Sequence, residues 1–526
     1  MPDTSIWGVT ANDHLLVEPL VGNFPAFLQL MSPASSALRL AKAQLPTLES
    51  YLEAPEAHAS GAAHPATKGG PFVGLPPEDF NRVAALTGEL REEHDLLDLA
   101  AAIDELAAML DEFDGRDFGS AYLRTPKALR GLVEFVYDGR HRPRALFRES
   151  LLYRGRYDPT RREAIYLTGG DGDDRPFMLS TPRVTSDRGI VVRLPLRDEA
   201  LDVIARSRLG HVPLGELRDA VGPEVVGSPH FAQLWSEGPA PEMRRWDGGL
   251  RVRYFGHACV VFETADISVV TDPFVSPRPG DGRFCLRDLP PAIDYCLITH
   301  GHADHFVIET LLELRHRIGT VVVPANLGGE LFDPSLRLCL EHLGFTDVIE
   351  VRDLDRIPIP GGEIIALPFA GEHGDLAIGA KSTYLVDLGG RRAMIGADTR
   401  ALPDELYELV VDAVGPVDDI FLGLECEGAP LTWMYGPLFF GPVARKLSLA
   451  RRLNGADAAE ATRLVSTLGA SRIFVYALGE EPWLQHVMAT NYTPESYQLR
   501  QAEELAAACA ARDVECRHLI GKATIA

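Results

Sequence analysis

Apolar positions follow two different regimes along the chain, and the change falls near residue 245. In the first half, Leu96, Leu99, Ile103, Leu106, Leu110 and Phe113 recur every three or four residues. That spacing predicts one long amphipathic helix from Glu89 to Phe113, ending at Gly115. Its stripe is that of a helix packed into a core rather than of a dedicated dimer helix. The segment up to about Leu52 mixes apolar runs with Pro and Ser and has no clear period. From Ala54 to Pro71 small residues, Pro and Gly predict a loop or linker, and its two histidines, His58 and His64, lack any ligand context. Ile190–Leu194 reads as a strand, and a turn-rich stretch closes this half at Glu237-Gly238-Pro239-Ala240-Pro241. Residues 1–245 are therefore read as a mixed α+β N-terminal domain.

After the boundary the pattern changes to short β-rich runs alternating with helices. The runs are Leu250–Phe255, Cys259–Glu263, Ile267–Thr271, Tyr295–Thr299, Thr320–Val323, Glu363–Ala366, Thr383–Asp387, Ala393–Gly396, Ile420–Leu422 and Ile473–Leu478. Such alternation predicts an αββα sandwich over residues 246–526, two sheets with helices outside. Its active site is expected along one edge, on loops at the strand ends.

Composition narrows the function classes. The 526 residues are 46% hydrophobic and 24% charged, as in ordinary globular proteins, and too many for one core. No apolar run approaches the roughly 20 residues needed to span a bilayer, and the N-terminal Met1-Pro2-Asp3-Thr4-Ser5 lacks the features of a secretory signal. A soluble, cytoplasmic protein without a membrane partner is expected. Seven scattered cysteines, none in a C-x-x-C pair, indicate neither a disulfide framework nor a thiolate metal cage. A net charge of -24 disfavours nucleic acid as a partner.

The candidate chemistry sits after the Tyr295–Thr299 strand, in His300-Gly301-His302-Ala303-Asp304-His305. In an extended loop, residues two apart share a side, so His300 and His302 can grip one metal while Asp304 and His305 turn toward a second. This H-x-H-x-D-H pattern is the signature of the metallo-β-lactamase fold, which places the domain from about Gly249 onward in that class. Further ligands are expected at later strand ends. Asp398, after Ala393–Gly396, takes the place of a bridging carboxylate. In Gly371-Glu372-His373 the usual pattern has a histidine just after the glycine, whereas this chain has Glu372 there. Neighbours in extended backbone point to opposite sides, so one of the two is expected to bind metal, Glu372 by preference and His373 as the conventional alternative. His486 is the expected last ligand, with His518 as fallback. His257 and Asp272 are expected to orient ligands rather than to bind.

A ligand set of His300, His302, His305, His486, Asp304, Glu372 and Asp398 is richer in carboxylate than a hydrolytic zinc pair. Harder, anionic donors suit iron and its oxidised state, so the set leans toward dioxygen chemistry. The H-x-H-x-D-H loop, the Gly-Glu-His segment at Glu372, Asp398, the Glu-Pro-Trp segment near His486 and the large N-terminal extension together resemble the diiron β-hydroxylases of nonribosomal peptide antibiotic pathways. The resemblance runs over nearly the whole chain. It implies an O2-dependent, non-haem diiron monooxygenase that hydroxylates the β-carbon of an amino acid tethered as a thioester to a synthetase carrier domain. It also implies two iron ions, dioxygen as co-substrate, an external two-electron donor and Glu372 as an iron ligand. A homodimer is expected, with the N-terminal domain serving substrate access, carrier docking and dimerisation.

A dinuclear zinc hydrolase of an ester, lactone, amide or thioester needs the same fold and most of the same ligands, and is the runner-up. An idle binding module comes third, since a full ligand set is costly to keep together without metals. Glu425 and Glu427, after the Ile420–Leu422 strand, are candidate catalytic carboxylates that reach the substrate amino group or a metal-bound water. Arg140, Arg142, Arg144, Arg148, Arg154, Arg156, Arg161 and Arg162 form a basic run in an acidic chain. They are a candidate carrier-docking patch, unless they pair with the chain's own carboxylates. Arg445, Lys446, Arg451 and Arg452 are the alternative.

Overall fold

The strands of the second half are apolar at almost every position because both of their faces are covered. Alternate side chains go to different cores. Val260, Phe262, Val269, Val322, Ile364, Ile395, Phe421 and Phe474 pack between the two sheets. Val261, Val270 and Val321 face the N-terminal half instead. Ile365, Met394, Ile420 and Ile473 pack under the helices Asp404–Val414, Ala458–Leu468 and Tyr497–Ala510. In this computed structural model, residues 8–114, 117–170, 172–237 and 243–525 are described.

Each sheet has seven strands. The first runs Val348–Val351, Ile318–Pro324, Ile293–Leu297, Ser268–Thr271, Val260–Glu263, Arg251–Tyr254, Ala523–Thr524. The second runs Arg356–Ile359, Gly362–Leu367, Thr383–Leu388, Arg391–Ala397, Asp419–Gly423, Arg472–Tyr476, Glu515–His518. Together with the outer helices they make the αββα sandwich of the metallo-β-lactamase fold. The outermost strands escape the hydrophobic pattern because edge strands such as Arg356–Ile359 and Glu515–His518 carry charged residues that discourage further pairing.

The N-terminal half has a four-stranded sheet in which Leu16–Val21 and Glu163–Thr168 pair antiparallel, flanked by Phe24–Pro25 and Gly189–Val192. Two expectations are corrected here. The single helix expected over 89–113 is two, Phe80–Arg91 and His94–Asp111, broken at Glu92 and Glu93. All the periodic apolar residues up to Leu110 belong to the second, and nothing apolar at Glu92-Glu93 holds the two in line. The expected linker contains a helix, Pro55–Ala63, which starts on proline and continues through alanines, a combination that favours helix over loop. Within it His58 is buried, accepting from the Val73 amide at 3.0 Å. Gly115 and Gly238 to Pro241 lie outside the described residues.

One cluster of buried apolar side chains runs from Val9 through Leu99, Ile165 and Leu311 to Leu453. The N-terminal half is therefore packed onto the outer face of the first sheet. Among the described residues, no helix is long and apolar enough to cross a membrane.

Candidate metal centre

Strands Ser268–Thr271, Ile293–Leu297 and Ile318–Pro324 run parallel, as do Arg391–Ala397, Asp419–Gly423 and Arg472–Tyr476 in the other sheet. Loops after parallel strands leave at one edge, where open α/β sheets collect their functional groups. Asp272, the His300–His305 loop, Asp398 and Glu425 each follow such a carboxyl end.

Three overlapping ligand-type clusters form there, all of them buried, one of them His300, His305 and Asp398. In the first, His300, His302, Glu372 and His373 bring nitrogen or carboxylate atoms within 4.8 Å of one another, and in the second His257, Asp304 and His305 do the same. His300 Nε2 lies 3.2 Å from His302 Nδ1, which lies 3.1 Å from Glu372 Oε1. Glu372 Oε2 touches His373 Nδ1. Asp304 Oδ2 is 3.1 Å from His257 Nε2 and 3.7 Å from His305 Nε2. Asp398 stands between the clusters, its Oδ2 3.0 Å from His305 Nε2 and 3.7 Å from His300 Nε2. Gly423 permits this approach, since a Cβ there would meet Asp398 Oδ1 at 2.7 Å.

Hydrogen bonds behind the clusters decide which ring nitrogens face inward. Asp272 accepts from the Thr299 amide (2.7 Å), the Thr299 hydroxyl (2.6 Å) and His305 Nδ1 (2.9 Å). His300 Nδ1 meets the same hydroxyl oxygen at 3.1 Å. One carboxylate thus orients both imidazoles, with Nδ1 as donor and Nε2 free to bind. His302 Nε2 meets the Tyr435 hydroxyl at 3.0 Å, and the His257 amide donates to Glu481 Oε1 at 2.9 Å. Tyr435 escapes sequence reading because no spacing ties it to the histidines, whereas Thr299 directly precedes His300 and Glu481 belongs to the Glu-Pro-Trp segment, though neither position tells which atom it bonds.

Burial holds the imidazoles of His300 and His373 below their ordinary pKa, His373 at about 4, which keeps them in the neutral, coordinating form. Burial alone would raise the Glu372 carboxyl, but His302 and His373 outweigh it and hold it well below the usual carboxylate range. Burial would likewise lower His305, but Asp398 and Asp304 hold it well above the usual range.

These residues fit a pair of metal cations. Glu372 Oε1 and Oε2, Asp398 Oδ1 and His305 Nε2 are buried without a hydrogen-bond partner. Buried polar atoms are costly when unpaired. Two donors about 2.1 Å from one cation and at right angles would stand about 3.0 Å apart. His305 Nε2 and Asp398 Oδ2 show that separation, 3.0 Å, without hydrogen-bond alignment.

His257, Asp272, Glu372, His373 and Ala397 have φ of +48°, +32°, +53°, +53° and +46°, a left-handed region costly for such residues. Glu372 and His373 both join the first cluster, against the expectation that they point to opposite sides. The argument assumed extended backbone, whereas successive left-handed residues put both side chains on one side. His257, expected only to orient ligands, sits with its Nε2 in the second cluster.

His486 is not brought to these clusters. It groups with Glu18 and Glu309 instead, its Nδ1 3.1 Å from the Trp483 carbonyl oxygen and its ring edge-on to Phe274. The fallback His518 is paired with Glu480 at 2.7 Å. His486 departs because its segment packs against N-terminal residues such as Glu18 and Met178, which no local spacing reveals.

Glu425 lines a cavity with His302, Asp304 and Glu372, walled by Met178, Leu179, Trp433, Met434, Leu453, Val487 and Met488. Glu427 faces outward, its side chain 52% exposed and near Arg452. Glu425→Gln is therefore expected to lower turnover per iron severalfold with iron content unchanged, while Glu427→Gln matches wild type. Equal turnover of both variants would remove Glu425 from the reaction.

Residues 11–239 match the family model of the N-terminal domain of diiron non-haem β-hydroxylases, and residues 251–363 match a β-lactamase superfamily domain. The 4-amino-L-phenylalanyl-[CmlP-peptidyl-carrier-protein] 3-hydroxylase of Streptomyces venezuelae is 35% identical over 493 residues, 91% of this chain and 92% of that protein. The crystal structure of CmlA, a diiron β-hydroxylase from Streptomyces venezuelae, aligns with a TM-score of 0.92 and 32% identity, over 99% of each chain. A metal-dependent hydrolase of Brucella ovis is 31% identical over 105 residues, 18% of this chain and 44% of its own length. The sequence likeness to that hydrolase covers one piece of the catalytic half, whereas the likeness to the hydroxylase covers nearly the whole chain.

Proposed function

The chain belongs to the diiron non-haem β-hydroxylases, and from that premise we propose that it hydroxylates the β-carbon of an amino acid carried as a thioester on a nonribosomal peptide synthetase carrier domain. The overall balance is a C–H bond, dioxygen, two electrons and two protons in, and an alcohol and water out. The observation that supports it best is the carboxylate of Glu372 beside His302, 3.1 Å from Nδ1, at a position where a zinc hydrolase of this fold has an imidazole.

His300, His302, Glu372 and His373 would hold one iron and His257, Asp304 and His305 the other, with Asp398 between them. When bound, the irons supply the reduction of dioxygen that makes a C–H bond reactive. The chain's own part is positioning and exclusion. Asp272 and Thr299 aim two imidazoles, and Tyr435 backs a third. Met178, Leu179, Trp433, Met434 and Leu453 give the cavity a largely apolar wall, which keeps water from the reacting carbon. The two electrons come from an external donor protein or reductant. All seven cysteines are free, which suits the reducing cytoplasm.

Metal analysis after expression with both iron and zinc available is expected to give two irons per chain. His302→Ala should lose one or both. Protein carrying stoichiometric zinc, active on esters or lactones and inert to dioxygen when reduced, would overturn the proposal.

A further inference from the structure

We propose that the face formed by Phe440, Arg445, Lys446, Leu447 and Leu449 is where the aminoacyl carrier domain docks. This rests on the carrier-borne substrate of the preceding section. The run of arginines between Gly139 and Glu163 is the first place to look for such a face, but five of its eight are paired or buried, leaving Arg140, Arg154 and Arg161 exposed without an ion pair among the described residues. Arg142 pairs with Asp138 at 2.8 Å, Arg148 with Glu134 at 2.7 Å and Arg156 with Asp95 at 3.7 Å. Arg144 pairs with Glu330, and Arg162 is buried on Ser36.

The segment after the cavity wall is different. Arg445 and Lys446 are exposed and have no ion-pair partner among the described residues, in a chain whose net charge is -24. The same segment exposes apolar side chains, Phe440 at 55%, Leu447 at 48% and Leu449 at 42%. Exposed apolar side chains gathered beside unpaired cations mark a contact surface rather than a solvated one.

Its position matches the task. The helix Arg445–Ala450 is pinned by Ser448, whose hydroxyl meets that of Thr432 at 2.9 Å, onto the helix Leu431–Tyr435. That helix supplies Trp433 and Met434 to the cavity wall, and the chain re-enters the same wall at Leu453. Arg451 and Arg452 point inward, donating to the carbonyl oxygens of Gly374 (2.8 Å) and Gly428 (2.6 Å), so the face is braced against the loop of Glu372. A carrier domain presents its substrate on a phosphopantetheine arm that leaves the protein through an anionic phosphodiester. On a chain of net charge -24, two cations without ion pairs beside the cavity give such a partner a landing point.

The test uses full-length, iron-loaded enzyme and phosphopantetheinylated peptidyl-carrier domains, that of the Streptomyces venezuelae relative's substrate among them. Arg445→Glu/Lys446→Glu and, separately, Phe440→Ser/Leu447→Ser are expected to weaken carrier binding roughly tenfold and to raise KM with little change in kcat. Iron content should stay at the wild-type value, and the charge-reversed protein should lose most of the salt dependence of binding. If wild type binds a carrier and both variants bind it equally well, this face is wrong although the carrier reading stands. If wild type binds none of the carriers, the carrier reading itself falls, and the face with it. Variants that dissociate a wild-type dimer in sedimentation while binding the carrier normally would identify the face as a self-association surface and overturn the proposal.

Discussion

Glu372→His is expected to load zinc in place of iron and to lower hydroxylation by more than roughly 100-fold, since outer partners of metal ligands alone cost about 10- to 100-fold. Glu372 Oε1 and Oε2 are both buried without a hydrogen-bond partner, within reach of His302 and His373. Replacing this carboxylate by a fourth imidazole beside His300, His302 and His373 removes the anionic donor that favours iron and leaves a nitrogen-rich set suited to zinc. Iron and zinc content, measured after loading with equal amounts of both, is a readout independent of activity. A variant that keeps two irons and hydroxylates at the wild-type rate would show that Glu372 does not bind metal.

Arg183→Met is expected to destabilise the protein by about 3 kcal/mol, toward the lower end of what removing one partner of a buried ion pair costs, because Arg175 still holds Glu18. Glu18 is 2% exposed and accepts from Arg183 Nε (2.6 Å) and Nη2 (2.9 Å) and from Arg175 Nη1 (3.2 Å). Arg175 also holds Glu309 of the catalytic half at 2.7 Å. Burial alone would raise the Glu18 carboxyl, but Arg183 and Arg175 hold it at about 2 against an ordinary 4.5. Because the folded pKa is depressed, the stabilisation is complete above about pH 4.5 and is lost as pH falls toward 2. Its size is on the order of a few kcal/mol. Unfolding by denaturant at pH 7 should show the loss in Arg183→Met, and the variant's stability should fall less steeply than wild type below pH 4.5. Equal slopes would mean that the arginine does not control Glu18.

Much of the fold could be read along the chain because each strand of the sandwich carries its own pattern. The runs at Leu250–Phe255, Thr383–Asp387 and Ile473–Leu478 overlap strands, and the sandwich strands missed are the four at the sheet edges, of which Arg356–Ile359 and Glu515–His518 carry charge at their ends. At Glu92-Glu93 and over Pro55–Ala63 the structure follows local signs, a gap in the apolar stripe and a proline-led run of alanines, rather than the helix and linker expected there. The site divides in the same way. His300, His302, Asp304 and His305 lie within six residues of one loop, so their spacing alone nearly dictates that they meet. Asp398 follows a strand end, and the sheet's parallel order carries it to the others.

The amino-acid sequence by itself determined the apolar periods, the H-x-H-x-D-H loop and the carboxylate at Glu372, because these depend on residues close together in the chain. Only the tertiary structure decided that Glu372 and His373 share a side, since left-handed backbone is held there by its surroundings rather than by local preference. It also decided that His257 joins Asp304, that Tyr435 backs His302 and that His486 turns away toward Glu18 and Glu309. Those partners lie tens to hundreds of residues apart. Bringing them together takes the burial of two sheets and an N-terminal half against one another, which no local pattern encodes.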